Sequence, residues 1–383
     1  MPWKESDIVD ERTEFVLKSM GRFPAFKELC AEYGISRKTG YKWKKRFLEE
    51  GSCGLHDRLR RPKSFPGQLG EETVCEMIRL KLLHIAWGPK KIRELYGRIH
   101  GEAPSLSSFK RVLDKSGLVV HRVRRRRRSP QRLSQPIPAQ APNDIWTVDF
   151  KGWWRFGVEQ RCEPLTIRDD FSRYILAIRA MESTSTEKTK VQFEKVFERY
   201  GLPKIIRSDN GAPFASSRSP LGLSKLSAWW IGLGIQLDRI APGHPEQNGG
   251  HERMHRDIRL ELQGLIEGDL GDHQEAFDVW RRTFNDERPH EALKMRVPAD
   301  VYKRSPRRYR EVSRIEYPRG YVTRTVKPCG AICVNGRQIF ISTALRGWNV
   351  GLKGETGNRM EVWFDYLRMG EIDLEAEAFI CVA

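Results

Sequence analysis

The sequence lacks the long apolar segments, the cysteine pairs and the apolar leader that mark membrane, disulfide-rich and exported proteins. No run of about 18 apolar residues occurs, because even the stretch at 174–181 is broken by Arg179. The N-terminal segment MPWKESDIVDERTE carries acids where a secretory peptide needs basic residues followed by an apolar stretch. The seven cysteines form no C-x-x-C pair, which favours reduced thiols. We therefore predict a cytoplasmic protein without a membrane segment.

Basic residues strongly outnumber acidic residues only in the first third of the chain. Residues 1–142 contain 31 Lys and Arg against 16 Asp and Glu, whereas the remaining residues contain 37 against 34, giving a net charge of +18. This asymmetry predicts a polyanion as partner, because each neutralised phosphate releases a condensed counterion; a merely solubilising surface is the alternative. The densest basic run, expected to contact DNA and to associate the protein with the nucleoid, comprises Arg122, Arg124, Arg125, Arg126, Arg127 and Arg128.

Residues 1–60 contain the pattern of a helix-turn-helix DNA-binding domain. A short helix is predicted from Phe26, Gly34 supplies the turn, and Ser36 is placed to cap a second helix that ends near Glu50. Gly40 allows the helices to approach closely. The apolar core is predicted from Leu29, Ile35, Trp43 and Phe47. The side chains expected to enter a major groove are Arg37, Lys38, Tyr41, Lys42 and Lys45. An ordinary helical hairpin with a basic face is the alternative interpretation.

A second helical unit is predicted over residues 61–121. Val74, Ile78 and Leu82 recur at helical spacing, and two further helices are expected to begin at Pro89 and after Ser105. The unit resembles a second DNA-binding module, and a packing module without nucleic-acid contacts is almost as well supported. Residues 122–142 join the arginine run to a proline-containing stretch and are predicted to form an extended linker.

From residue 143 to residue 305 the sequence changes to an α/β pattern. Predicted strands lie at IWTVDF, EPLTIRDDFS, YILAIRAM, KIIRSD and residues 235–240, and predicted helices lie at 186–200, 223–233 and 249–266. The first of these helices should turn Val191, Phe193, Val196 and Phe197 inward. Strands followed by alternating helices and strands predict a mixed sheet covered on both faces. Residues 306–383 predict a small β-rich C-terminal domain.

Three carboxylates occupy positions that suggest metal binding. Asp149 lies inside an otherwise apolar strand, where a charge is costly unless a cation meets it. Asp209 ends another buried strand, and Glu252 lies near the start of a helix with a thin apolar stripe. If the fold brings them together, they can hold magnesium, which prefers carboxylate and water ligands. Two such ions would activate a water nucleophile and stabilise the leaving oxygen of a phosphoryl displacement.

Four motifs in order resemble the core of the retroviral-integrase-like DDE transposases encoded by bacterial insertion sequences. They are WTVDF at 146–150, RSDNG at 207–211, PGHPEQNGGHERMHRDIR at 242–259 and FNDERPHEAL at 284–293. The resemblance covers about residues 20–305. It implies an RNase H-like fold, in which Asp149, Asp209 and Glu252 bind two Mg²⁺ or Mn²⁺ ions and catalyse the chemistry.

The resemblance also implies what the protein acts on. It implies 3'-end cleavage at the ends of a mobile element, strand transfer into target DNA, and a homo-oligomer that holds two double-stranded DNA ends. We expect residues 20–128 to bind the terminal repeats of the element. Basic side chains expected to contact phosphates near the active site are Lys225, Arg253 and Arg256. A merely solvated basic helix face is the alternative for these three residues.

Three features depart from the family pattern. Asp209 and Glu252 are further apart than in retroviral integrases, and Glu246 lies nearer the usual spacing. Glu252 is preferred because the Asn248-Gly249 element and the basic helix after it align with the family motif, and Glu246 stays as an alternative. The N-terminal region lacks the paired histidines and cysteines of the retroviral zinc module, so no zinc is implied there. The last 60 or so residues match only loosely, as a small barrel.

Other functions compete with the transposase hypothesis. His251-Glu252-x-x-His255 spells the zinc-protease signature, although its flanks are glycines and arginines and a protease does not explain the basic first third. A catalytically inactive DNA-binding regulator is another alternative. An RNase H-like nuclease without strand transfer is the third, with Asp169 and Asp170 as extra metal ligands. The preferred interpretation of these two aspartates is that one caps a turn at 171–172.

Two further clusters are predicted to be structural. The aromatic pair Trp153 and Trp154 can stack on a base, but packing in the core or at an interface is the favoured interpretation. The segment Arg288-Pro289-His290 is predicted to close the core.

Overall fold

The computed structural model describes residues 7–21, 24–58, 67–119, 137–156, 160–241, 245–354 and 358–382, without the side chains of residues 245 and 246. The arginine run at 122–128 and the side chain of Glu246 therefore lie outside the described residues. The chain divides into two compact units, residues 1–70 and residues 71–383. The helices predicted for 61–121 belong to the second unit, together with the core and the C-terminal strands. In the described residues, no helix has the length and hydropathy needed to cross a bilayer.

The first unit is a small helical domain. Its helices are α1 (Ile8–Lys18), α2 (Phe26–Glu32) and α3 (Arg37–Glu50), followed by a 3₁₀ turn at Gly51–Leu55. The Ser36 hydroxyl accepts a hydrogen bond from the Thr39 amide at 3.2 Å, which confirms the predicted cap of α3. The side chains that pack together include the predicted Leu29, Ile35, Trp43 and Phe47.

Gly40 is the point of closest helix approach in the first unit. A Cβ atom at this position would lie 2.8 Å from Cys30 Sγ and 2.9 Å from Phe15 Cζ, distances that real Cβ contacts do not show. The predicted role of Gly40 is therefore confirmed, and it follows from the packing of α3 against α1 and α2.

The second unit begins with three helices: α4 (Glu71–Leu83), α5 (Pro89–His100) and α6 (Leu106–Lys115). Their existence was predicted. Of the three apolar residues that recur in α4, Val74 and Ile78 are half-buried. Met77 and Leu80 are buried, whereas Leu82 is 58% exposed. The reason lies at Lys81, whose amine donates to the backbone carbonyls of Ile85 and Trp87, at 2.6 and 2.8 Å. These hydrogen bonds allow a lysine to take an inward position of the helix.

The core contains a five-stranded mixed sheet. The strands before α7 are β1 (Ile145–Phe150), β2 (Trp154–Phe156), β3 (Gln160–Cys162), β4 (Leu165–Asp169) and β5 (Ile175–Arg179), and those after it are β6 (Ile205–Ser208) and β7 (Gln236–Arg239). The sheet order is β5-β4-β1-β6-β7, and β2 pairs with β3 outside it. Strand β1 is antiparallel to β4 and parallel to β6, and β7 is parallel to β6. Sequence patterns did not predict the β2-β3 pair.

Helices cover both faces of the sheet, as predicted. They are α7 (Thr186–Tyr200), α8 (Lys225–Gly232), α9 (Gly249–Glu261) and α10 (Leu270–Arg282), with a short α11 (Pro298–Val301) after them. Trp146 and Val148 pack with α7 and α8, and Ile175 and Ile178 pack with α9 and α10. Helix α9 ends at Glu261, earlier than the predicted residue 266. Val191 was predicted to face inward and is 45% exposed, because the buried face of α7 runs through Thr189 and Phe193 instead.

The C-terminal region forms antiparallel β structure. Its strands are β8 (Tyr321–Thr325), β9 (Ala331–Val334), β10 (Arg337–Phe340), β11 (Asn349–Gly354), β12 (Arg359–Phe364), β13 (Leu367–Asp373) and β14 (Ala378–Cys381). The order of the larger sheet is β14-β13-β12-β11-β8, and β9 pairs with β10. In that sheet, as described, β8 and β14 are the edge strands, and the predicted small β-rich C-terminal domain is confirmed. The sheet packs on α8, where Trp348 lies directly against Gly232.

Asn285 joins the segment after α10 to the edge strand β5. Its Oδ1 accepts from the Ile175 amide at 2.8 Å, and its Nδ2 donates to the Ile175 carbonyl at 2.9 Å. Asn285 is buried, so this side chain satisfies both backbone groups of Ile175 away from solvent.

We predict that Gly40→Ala destabilises the first unit by about 1–3 kcal/mol, because the added methyl group overpacks the contact with Cys30 and Phe15. Gly97→Ala in α5 is the matched control, since its Cβ would meet only Ala103 Cβ at an ordinary 3.5 Å. Hydrogen exchange of the α3 amides measures the effect of the first change. Unchanged protection of α3 in Gly40→Ala would contradict the packing described.

We predict that Asn285→Ala lowers the free energy of unfolding of the second unit by about 2–4 kcal/mol, because it leaves two backbone groups of Ile175 unsatisfied. Asn358→Ala, which removes an exposed amide from the C-terminal sheet, should change it by less than about 0.5 kcal/mol. Scanning calorimetry of the full chain compares the two variants. Equal losses of unfolding free energy in the two variants would show that the hydrogen bonds of Asn285 to Ile175 do not stabilise the second unit.

Candidate active site

Two of the predicted carboxylates lie at the ends of neighbouring parallel strands. In the β1-β6 pairing the last paired residues are Thr147 and Arg207, and Asp149 and Asp209 follow two residues later on each strand. The charge of Asp209 raises the pKa of Asp149, so the two acids lie near each other. Because parallel strands end at the same edge of a sheet, both acids project at that edge. Asp209 is exposed, and its Oδ1 accepts from the Gly211 amide at 3.1 Å, which fixes the turn after β6.

A buried histidine holds α9 over the strands that carry the site. His251 is completely buried; its Nδ1 lies 2.8 Å from Thr147 Oγ1 and its Nε2 lies 2.9 Å from Thr166 Oγ1. The two threonines belong to β1 and β4, so the imidazole ties the first turn of α9 to both strands. Glu252, the next residue, is exposed in that first turn. The sequence predicted none of these threonine contacts.

His255 lies one helical turn further along α9 and also faces the strands. Its Nε2 is 2.8 Å from Thr166 Oγ1, and its Nδ1 is 3.7 Å from Asp149 Oδ2. Burial, with the nearby charges of Lys151 and Arg168, lowers the pKa of His255 to about 3, and burial lowers the pKa of His251 well below its usual value. Both imidazoles are therefore neutral at pH 7. Since both ring nitrogens of His251 contact threonine hydroxyls, the zinc-protease arrangement has no support here.

The three carboxylates share one electrostatic environment. Burial, together with the negative charges of Asp209 and Glu252, raises the pKa of Asp149 to about 7, and the Phe150 amide and Lys151 act in the opposite direction. Within the described part of the chain, no three His, Cys, Asp or Glu side chains converge tightly enough to form a ready metal cluster. The acids thus repel one another without forming a closed ligand set.

The neighbouring aspartates have structural roles. Asp169 is buried and accepts hydrogen bonds from the Asn143 amide at 2.7 Å, the Ser172 amide at 2.8 Å and the Ser172 hydroxyl at 2.5 Å. It therefore caps the turn between β4 and β5, as preferred from the sequence. Asp170 forms ion pairs with Arg168 and Arg173, both at 2.9 Å. Neither aspartate extends the set of candidate metal ligands.

Helix α3 presents the five side chains that were predicted to face DNA. Arg37, Lys38, Tyr41, Lys42 and Lys45 are all exposed. The Tyr41 ring stacks on Phe26 with centroids 4.3 Å apart, and Lys42 Nζ lies 4.4 Å from the centroid of Trp43. Lys45 pairs with Glu49 at 3.7 Å. The face is basic, and aromatic contacts hold part of it in place.

The basic candidates nearer the carboxylates are exposed as well. Lys225 begins α8, and Arg253 and Arg256 lie on α9, the helix that carries Glu252. Arg256 Nη2 is 3.7 Å from Asp257 Oδ1. Sequence reasoning missed two further bases, Lys151 and Arg259. Burial lowers the pKa of Lys151, as does the charge of Arg259, whereas Asp149 raises it, so both bases lie near the acids.

The tryptophan pair is divided between core and surface. Trp154 is 6% exposed and packs edge-on against Phe277 at 5.9 Å, which agrees with the packing interpretation. Trp153 is 50% exposed, and the guanidinium of Arg161 lies 4.5 Å from its ring centroid. Only Trp153 has a free face for a partner.

Comparisons with known proteins agree with this arrangement. Two models described as integrase core domain match residues 139–245 and 233–298, a homeodomain-like domain matches 39–113 and a helix-turn-helix domain matches 11–63. The insertion element IS407 uncharacterized 31.7 kDa protein of Burkholderia multivorans is 26% identical over 236 residues, covering 61% of this chain and 82% of that protein. The insertion element IS476 uncharacterized 39.2 kDa protein of Xanthomonas euvesicatoria is 28% identical over 252 residues, covering 64% and 69%.

A solved structure shows a weaker likeness. One chain of the simian T-cell lymphotropic virus intasome in complex with PP2A regulatory subunit B56 gamma has a TM-score of 0.37 and 14% identity, covering 75% of this chain and 91% of that one. The family assignment rests on the matches to the integrase core, on the helix-turn-helix matches that precede them in the chain, and on the insertion-element relatives. The chain belongs to the integrase-like transposases of insertion sequences.

Proposed function

We propose that the chain catalyses metal-dependent cleavage of DNA 3' ends and their transfer into target DNA. The observation that supports this proposal is the parallel pairing of β1 with β6, because Asp149 and Asp209 each follow its last paired residues by two positions. Glu252 lies close enough on α9 for its charge to raise the pKa of Asp149. Carboxylates from three distant parts of the chain then surround the place where a phosphodiester would lie.

The donor set fits magnesium or manganese. Carboxylate oxygens are ligands that these ions prefer, whereas a zinc site would use thiolates or free imidazole nitrogens. Burial, and after it the charges of Asp209 and Glu252, raise the pKa of Asp149, and bound cations would favour its ionised form. We propose that Asp149, Asp209 and Glu252 hold two ions, although as described they do not form a closed cluster. Two bound ions would supply an activated oxygen nucleophile and stabilise the leaving oxygen.

The other residues of the site orient the acids and the DNA. His251 and the hydroxyls of Thr147 and Thr166 hold the first turn of α9, so they position Glu252 relative to the strands. The neutral ring of His255 lies beside Asp149 and adds no positive charge to compete with cations. Lys151 and Arg259 supply positive charge near the acids, where the phosphates of a DNA strand need it.

The helical modules are proposed to bind the terminal repeats of the mobile element. The exposed bases of α3 would enter the major groove, and the helices α4 to α6 form the second DNA-binding module. Lys225, Arg253, Arg256 and the arginine run at 122–128 would contact phosphates. Because transposition joins two ends, we also propose a homo-oligomer on DNA, with the protein associated with the nucleoid.

We predict that Asp149→Asn, Asp209→Asn and Glu252→Gln each lower strand transfer by at least about 10²-fold, because each removes a negative charge that the ions need. Glu246→Gln is the matched control and should retain activity. The assay joins labelled duplex ends to target DNA with magnesium present or omitted. If Glu246→Gln loses strand transfer and Glu252→Gln retains it, Glu246 rather than Glu252 is the third metal-binding carboxylate.

The products of the same assay separate the competing functions. Joined strands support the proposal, and cut strands without joining indicate a nuclease. DNA binding with neither product indicates a regulator. Peptide cleavage with stoichiometric zinc would indicate the protease alternative, and each of these three results would overturn the transposase mechanism.

We predict that the double change Arg37→Ala and Lys38→Ala weakens binding to duplex DNA and makes it less salt-dependent, because two phosphate or base contacts are removed. The slope of log K against log salt should fall by about 1–2, since each phosphate contact contributes about 0.9. Lys195→Ala on α7 is the control, an exposed helical lysine of the core. Equal losses in both proteins would argue against a recognition role for α3.

A further inference from the structure

A basic pocket lies within the second unit, at the start of α9, the helix that carries Glu252. It has a volume of about 550 Å³ and is lined by the first turns of α9, by α5, by β4 and by the segment at 284–292. Two acidic side chains, Asp257 and Glu291, also line it. The basic side chains that line it are Lys91, Arg168, Arg173, Arg253, Arg256 and Arg288. Positive charge therefore exceeds negative charge in this pocket.

Two of these arginines are buried and have unused hydrogen-bond donors. The Arg168 side chain is 4% exposed; it donates to Asp170 at 2.9 Å, and its Nε has no acceptor among the described residues. The Arg288 side chain is 6% exposed; its Nη2 contacts Asp257, while Nε and Nη1 lack an acceptor in the same described set. Buried N–H groups without acceptors are costly, and a charged acceptor in the pocket would satisfy them.

The acids of the pocket are already engaged. Asp257 contacts Arg288 and lies 3.7 Å from Arg256, and Glu291 pairs with Lys90 at 2.8 Å. Burial, together with the charges of Arg288 and Arg253, lowers the pKa of Lys91 to about 7, although Asp257 and Glu291 act in the opposite direction. These pairs offset part of the positive charge of the pocket, and its six basic side chains still outnumber its two carboxylates.

The start of α9 adds to this positive field. A Cβ atom on Gly250 would lie 2.2 Å from Arg168 Nη2, so the guanidinium rests directly on the helix backbone. Asn248 precedes the helix and makes no capping hydrogen bond, and its buried Oδ1 has no partner in the part of the chain described. The amino end of a helix carries partial positive charge and favours anions.

We propose that this pocket binds a phosphate group, held between α5 and the core by Lys91, Arg168 and Arg288. Planar guanidinium groups match the oxygens of phosphate, and a lysine completes the charge. The group can come from the DNA backbone or from a small phosphate-bearing molecule. The DNA source rests on the proposed function.

The position of the pocket favours the DNA source. Gly250 and Glu252 share the first turn of α9, about 3 Å apart along its axis at 1.5 Å per residue. A backbone phosphate in the pocket would therefore set the position of a DNA strand relative to the carboxylates. Because Lys91 belongs to α5, the same phosphate would also connect the second helical module to the core.

We predict that inorganic phosphate binds the full chain saturably and that Lys91→Gln weakens this binding about tenfold or more, the effect of losing one charge-assisted hydrogen bond. Lys110→Gln is the control: it removes the same charge from an exposed lysine of α6, which does not line the pocket. Titration calorimetry at constant ionic strength, with chloride as reference, measures both variants. Arg253→Gln, an exposed change, should weaken binding in the same direction if Lys91→Gln fails to fold.

Two results would overturn the phosphate site: phosphate producing no more heat than chloride, or equal losses of phosphate binding in Lys91→Gln and Lys110→Gln. Binding of a short mixed-sequence duplex, followed by fluorescence anisotropy, then separates the sources. If a DNA phosphate occupies the pocket, added phosphate raises the Kd for DNA of the wild type but not of Lys91→Gln. If both proteins respond alike, the DNA source is wrong and a small phosphate-bearing molecule is supported. Neither binding measurement requires catalysis. The phosphate site can therefore be tested even if the protein shows no strand transfer.

Discussion

The parallel pairing of β1 with β6 is the interaction on which the candidate site depends. Backbone hydrogen bonds pair these strands as far as Thr147 and Arg207, and Asp149 and Asp209 follow two residues later on each strand. A register shift by one residue would turn one of the two acids to the opposite face of the sheet. Trp146 and Val148, on the other face of β1, pack into the core with α7 and α8 and hold this register. The position of the acids is therefore maintained by apolar packing behind them.

The buried His251 connects the first turn of α9 to the strands that carry the candidate site. His251 is buried without charge, and burying an imidazole is tolerated only when its nitrogens find partners. Thr147 and Thr166 supply these partners on a sheet face that would otherwise be apolar. These hydrogen bonds offset the free-energy cost of burying the polar groups. They also fix the first turn of α9, where Glu252 directly follows His251.

Helix α9 separates two regions of opposite charge. Glu252 adds to the negative field around Asp149, while Arg253 and Arg256 line the basic pocket toward α5. The pKa of Asp149 is raised on one side and that of Lys91 is lowered on the other, so each region disfavours its own ionised groups. Bound cations would stabilise the ionised carboxylates, and a bound polyanion would stabilise the charged basic side chains. DNA with metal ions supplies both, which agrees with the proposed reaction.

The sequence by itself determined the local elements, because helical and strand periodicity, caps and turns depend on neighbouring residues. Helix α7 has its predicted bounds, Ser36 caps α3, and the three candidate acids stand at recognisable strand and helix ends. Only the tertiary structure decided which faces are buried and which distant groups meet. Lys81 turns inward because of carbonyls beyond the end of α4, and Lys91 meets Arg288 because the second helical module packs on the core. Such contacts join residues far apart along the chain, and no local pattern encodes them.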